Sequence, residues 1–152
     1  MRGVYTATIK CAGLASAKTL ILVTPIAGIN IRLLEASITD ASNATNQQLE
    51  AIIARVLTVG SPAGTAITPT KAEAGDQASP CTVIGNLSAE PGAYAATLSK
   101  DEGLSSISGW FYEPIPEVRL VIAGSTPVGL KLAVAPAAPT DIIANLTWVE
   151  EG

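Results

Sequence analysis

The 152-residue sequence has no histidine, two cysteines, six aromatic residues and 14% charged residues. Without histidine there is no Ser-His or Cys-His nucleophile, no HExxH or Cys/His zinc site, and no imidazole base near neutral pH. Two cysteines seventy positions apart, Cys11 and Cys81, define no disulfide framework and match no metal-ligand spacing; they read as small buried hydrophobes. Nine Lys and Arg stand singly against thirteen Asp and Glu, for a net charge of -4, so the clustered cations that grip nucleic acid are missing. Long apolar runs are missing too. The greasiest stretch, residues 19–34, is broken by Pro25, Gly28 and Arg32, short of the ~20 apolar residues a bilayer needs. Ala15-Ser16-Ala17 imitates a signal-peptidase site, but no apolar stretch leads into it, and no secretion signal is expected.

What is present is turn chemistry. Gly13, Pro25, Gly28, Gly60-Ser61-Pro62, Gly85-Asn86, Pro91-Gly92, Gly124-Ser125 and Pro136 cut the chain into strand-length pieces. Ile29, Ile31 and Leu33 alternate with Asn30 and Arg32. From Val128 the even positions to Val134 form an apolar face, with Lys131 toward water. Ile142, Ala144, Leu146 and Trp148 share one side of the last strand. Further strands fit residues 4–10, 18–24, 81–84, 93–99, 107–112 and 117–123. The pattern predicts an all-β fold of roughly eight to ten short antiparallel strands, a sandwich or barrel.

One stretch is ambiguous. Residues 46–57 (NQQLEAIIARVL) place Leu49, Ile52, Ile53 and Val56 at helical spacing and predict a short helix; a strand with Glu50, Ile52, Ala54 and Val56 on one face fits as well. Residues 60–80, rich in Gly, Pro, Thr and Ala, read as a long loop in one domain spanning 1–152.

The sequence carries no GxGxxG, P-loop or GxSxG. Residues 40–46 faintly suggest a calcium loop, but the turn glycine is missing and Ala51 stands where the bidentate Glu belongs, so no metal and no cofactor are expected. The carboxylate pairs Asp101-Glu102, Glu113/Glu117 and Glu150-Glu151 read as solvated; a dyad assembled from distant strands is the enzyme alternative. Asn43-Ala44-Thr45, Asn86-Leu87-Ser88 and Asn145-Leu146-Thr147 read as chance glycosylation patterns. Half of the aromatic residues sit in Gly109-Trp110-Phe111-Tyr112-Glu113-Pro114. Alternation puts Trp110 and Tyr112 on one face and Phe111 on the other, as a strand packed on both sides requires; exposed together they would form a stacking platform.

The run from Gly109 to Arg119, the terminal Leu146-Thr147-Trp148-Val149-Glu150-Glu151-Gly152, the opening Tyr5-Thr6-Ala7-Thr8 and the Thr68-Pro69-Thr70 loop resemble, in order, small tailed-bacteriophage virion proteins. The resemblance implies a jelly-roll-like antiparallel β-sandwich that decorates the capsid as a cement protein. On this reading it is not an enzyme. Homotrimers would bind the major capsid protein on the outer head surface, with no nucleic-acid or membrane partner, after synthesis in the host cytoplasm. It also implies a strand at residues 48–59. The resemblance carries over no binding site; the candidates for intersubunit or capsid contact are the aromatic run, with Trp110, Phe111, Tyr112, Pro114, Glu117 and Arg119, or the loop at 60–80. The alternative is a carbohydrate- or receptor-binding module of a tail fibre, using Trp110, Phe111 and Tyr112.

Overall fold

The computed structural model describes residues 2–42, 46–97 and 99–152. Among them lie thirteen strands: β1 (Gly3–Leu14), β2 (Lys18–Thr24), β3 (Asn30–Asp40), β4 (Gln48–Thr58), β5 (Ala63–Ala66), β6 (Thr70–Lys71), β7 (Thr82–Ala89), β8 (Ala93–Tyr94), β9 (Lys100–Ser105), β10 (Trp110–Tyr112), β11 (Val121–Ile122), β12 (Val128–Leu132) and β13 (Thr140–Glu151). A single 3-10 turn, Pro116–Val118, is the helical element among the described residues.

The strands form two antiparallel sheets. The first runs β10-β3-β13-β1-β6, with β11 also on β3; the second runs β5-β7-β2-β12-β4-β8, with β9 also on β4. The pairings are nested: β1 with β13, β2 with β12, β3 with β10, and β4 with β9. The chain is thus one long antiparallel ribbon, its ascending half reaching Thr58 and its descending half starting at Lys100, rolled into a sandwich. That wrap is a jelly roll, the two-sheet solution to unpaired edges. Residues 59–97 form the ribbon's tip, from which β7 and β5 extend the second sheet beyond β2.

One core fills the space between the sheets. Tyr5, Ala7 and Cys11 of β1, Ile31, Leu33, Ala36 and Ile38 of β3, and Ile142, Ala144, Leu146 and Trp148 of β13 meet Leu20, Ile21 and Val23, Leu49, Ala51 and Ile53, and Val128, Leu130 and Leu132 of the facing sheet. The predicted alternation holds at Ile29, Ile31 and Leu33 and along β13. It fails at Val134, which lies past the end of β12 and is exposed.

The helical reading of residues 46–57 is wrong: from Gln48 on they form β4, the strand alternative. Leu49, Ala51 and Ile53 face the core, while Val56 joins Leu22 and Leu87 in a small apolar cluster on the outer face of the second sheet. Both faces are covered, so Ala51, Ile52, Ile53 and Ala54 are all buried and the alternation of a half-exposed strand is lost. The loop expected at 60–80 carries β5 and β6 instead. These bridge the sandwich side, β5 pairing with β7 of one sheet and β6 with β1 of the other.

The outer cluster is roofed by the tip. Glu90 accepts hydrogen bonds from the Thr19 N–H (2.7 Å) and hydroxyl (2.5 Å), and the Tyr94 hydroxyl lies 2.5 Å from the Thr19 oxygen. Lys131 places its ammonium 4.6 Å from the Tyr94 ring centroid, so it is only partly in water. Tyr94 lies flat on β12 because residue 129 is glycine: a Cβ there would sit 2.5 Å from its hydroxyl oxygen.

Candidate functional site

The aromatic run begins where β9 turns into β10. The Gly109 N–H donates to the Ser105 carbonyl (2.9 Å), and Gly109 takes a φ of 70°, in the left-handed region that favours glycine. A Cβ at this position would also lie 2.9 Å from the Ile38 carbonyl oxygen. The turn sets Trp110, Phe111 and Tyr112 against Ile38, Ser37 and Ala36 at the edge of the first sheet.

Trp110 points inward and is buried, and its indole N–H donates to Glu102 Oε2 at 2.7 Å. Tyr112, half-buried, stacks on Trp110 with ring centroids 6.1 Å apart and 3° between planes. Lys100 joins them, its ammonium 2.6 Å from Glu102 Oε1 and 5.8 Å from the Tyr112 ring centroid. The hydrogen bonds from Lys100 and Trp110 hold the Glu102 carboxyl below its ordinary value of 4.5. Lys100 is no sequence candidate, and Glu102, expected to be solvated, is instead held by Trp110 and Lys100, because nothing in a strand's own pattern reveals which strand will pack beside it.

Phe111 points the other way. The expectation of packing on both sides fails here: Phe111 is 58% exposed. Beyond β10, Pro114 is buried, and Ile115 (65%), Val118 (63%) and Val121 (40%) are exposed. Phe111, Pro114 and Val118 line an open groove of about 520 Å³ with Ser99, Lys100, Glu102, Tyr112 and Glu113. Glu117 and Arg119, the other two candidates, do not line it. Glu117 is exposed, and Arg119 has its Nε buried without a hydrogen-bond partner among the described residues.

The remaining sequence candidates fall elsewhere. Cys11 and Cys81 are both free and buried. Of the faint calcium loop, Asp40 accepts from the Ser42 N–H (2.7 Å), the Ser42 hydroxyl (2.6 Å) and the Thr140 hydroxyl (2.8 Å), while Asn43, Ala44 and Thr45, with their glycosylation pattern, lie outside the described residues. Asn86 accepts from Lys18 Nζ, and Asn145 is tied to Thr8 and Ser37. Glu50 of β4 hydrogen-bonds Asp101 of β9, a contact that raises the Glu50 carboxyl above 4.5.

Glu150 corrects the sequence reading most sharply. It is not solvated: its side chain is fully buried. Its Oε1 accepts from the Ser79 hydroxyl, the Cys81 thiol (3.2 Å) and the Trp148 indole N–H (3.4 Å), and its Oε2 lies 3.6 Å from Arg2 Nε. Burial, then the hydrogen bond to Glu150, push the Cys81 thiol up to about 12.

Set against protein-family models, curated proteins and solved structures, the chain has no match. The fold class, a jelly-roll β-sandwich with an apolar sheet edge, therefore rests on its own geometry. Among the described residues, no helix is long and apolar enough to cross a membrane.

Proposed function

We propose that this chain is a capsid decoration protein of a tailed bacteriophage, a non-enzymatic jelly-roll tile that forms homotrimers on the outer head surface. The observation that carries the reading is the line of exposed apolar side chains Phe111, Ile115, Val118 and Val121 along one edge of the first sheet. Covering them removes apolar area from water, the main drive to association. Jelly rolls serve both in viral capsids and in lectins, so the fold alone does not choose.

The rest of the first sheet's outer face supports a covered role. Thr8 donates to Asn145 (2.6 Å), which donates to Ser37 (3.1 Å), and the Thr6 and Thr147 hydroxyls lie 3.0 Å apart. Polar groups already satisfied by one another lose little when a partner displaces water. Lys10–Asp141 and Arg32–Glu151 neutralise charge on the same sheet. Each trimer would bridge neighbouring capsid subunits and bind only the mature shell geometry, stabilising that state by linkage.

The groove beside Phe111 favours a second reading, a carbohydrate-binding module of a tail fibre. Its aromatic floor is reduced, because one face of Tyr112 is stacked on Trp110. The deciding experiment is native mass spectrometry with co-sedimentation on mature phage heads. A trimer that pellets with heads in near-stoichiometric amounts supports decoration. A monomer that ignores heads, with tryptophan fluorescence quenched by a glycan, overturns it for the fibre reading.

A further inference from the structure

Residues 68–80 lie against the end of the first sheet where β1 begins and β13 finishes. No side chain in this segment is fully buried. Its hold on the body is polar. Thr70 and Lys71 pair with Thr6 and Tyr5, the Ala72 N–H donates to the Val4 carbonyl (2.8 Å), the Tyr5 hydroxyl donates to the Gln77 carbonyl (2.8 Å), and the Ser79 hydroxyl donates to Glu150. Lys71 braces the segment internally through the Ala74 and Asp76 carbonyls (3.0 and 2.8 Å). Beneath it sit Glu150, Trp148 and Cys81, all buried.

We propose that residues 68–80 are a cover that opens as a unit while the sandwich stays folded, and that the Ser79–Glu150 hydrogen bond is its latch. Two features favour separate opening. The cover contributes little apolar burial, the property that ties a segment to global unfolding. Closed, it also leaves Arg2 Nε and Glu150 Oε2, an ion pair at 3.6 Å, short of hydrogen bonds among the described residues. Opening returns water to both atoms and offsets part of what the broken hydrogen bonds cost. Glu150 therefore gives the closed state an anchor and the open state a compensation, an arrangement that an apolar residue at position 150 would not provide.

The two free cysteines report on the motion. Cys81 lies at the cover's end, while Cys11 lies within the core between the sheets. Closed Cys81 is buried, so a reagent reaches its thiol only through an open state. The test treats the intact chain with iodoacetamide in native buffer and maps both cysteines by peptide mass. The expected result is Cys81 modified about tenfold or more faster than Cys11, as a local opening cheaper than global unfolding requires. Ser79→Ala, which removes the bond to Glu150 and the one that Ser79 accepts from the Cys81 N–H (3.2 Å), should speed Cys81 a further ~5- to 10-fold, with Cys11 unchanged. Both thiols reacting together at the global unfolding rate, or Ser79→Ala accelerating both equally or neither, would overturn the proposal. Hydrogen exchange of the unsubstituted chain gives a check without any variant. The Ala72 amide should exchange through an opening insensitive to low denaturant, and exchange in step with the β13 amides would count against the cover.

Discussion

At the scale of single residues, Glu150 sets strand alternation against charge. Ile142, Ala144, Leu146 and Trp148 alternate inward, and position 150 is the next in that series. Alternation points Glu150 into the protein, whereas its charge favours water. Burial won because Ser79, Cys81, Trp148 and Arg2 surround the carboxyl, and two of these come from a segment about seventy residues distant. Asp40 shows a carboxyl whose environment acts on acid stability. Burial raises it, but the hydrogen bonds from Ser42 and Thr140 outweigh burial and hold it below its ordinary 3.8. A carboxyl depressed on folding contributes stability that is present above its unfolded value and lost as pH falls through its folded value. Asp40→Asn should therefore cost about 1 kcal/mol at neutral pH. The gap to the unsubstituted chain should close as pH falls below 3.8. Urea unfolding at a series of pH values measures this; a gap that stays constant into acid would show that the carboxylate's charge is not what Ser42 and Thr140 stabilise.

Elements were legible where one face met water and illegible where neither did. The strands β1, β2, β3, β12 and β13 stood out by alternation or by turn-bounded apolar runs, whereas β4 looked helical because its outer face is also covered, near Val56, by Leu22, Leu87 and Tyr94. The short strands β5 and β6 have no burial pattern, since every residue in them is exposed; pairing geometry alone makes them strands. The roof over the second sheet is likewise invisible in sequence, because it depends on the absence of a side chain at Gly129. Gly129→Ala should displace Tyr94 from β12 and loosen its contact with Thr19, costing about 1–3 kcal/mol as overpacking does. If the clash with Tyr94 is the cause, the same change made in a Tyr94→Ala background should cost only a few tenths of a kcal/mol, a difference a double-mutant cycle isolates. Equal costs in both backgrounds would locate the requirement in the strand backbone instead.

For the whole molecule, alternation announced two packed sheets but not which strand meets which. The nested order β1–β13, β2–β12, β3–β10 and β4–β9 pairs residues up to about 147 positions apart, as in Gly3 with Glu150, and nothing in a local window encodes it. The jelly roll was expected from resemblance and is found in the pairing. The assembly reading lives at this scale and is decided by the surface that the chain's own core leaves unused. Phe111 is the sharpest probe, because its neighbours in β10 turn inward while its own ring is left in solvent. Phe111→Glu should leave the single chain's stability within about 0.5 kcal/mol, as surface changes usually do. In a trimer the same carboxylate would be buried three times around the axis, a loss of hot-spot size, about 2 kcal/mol or more per contact. The expected outcome is a trimer-to-monomer shift in native mass spectrometry at micromolar concentration, with the monomer's denaturant m-value unchanged. If the unsubstituted chain is itself monomeric, or the variant still trimeric, the edge carrying Phe111, Ile115, Val118 and Val121 is not the seam between copies. Glycan quenching of tryptophan fluorescence that is lost in Phe111→Glu would then assign that edge to sugar.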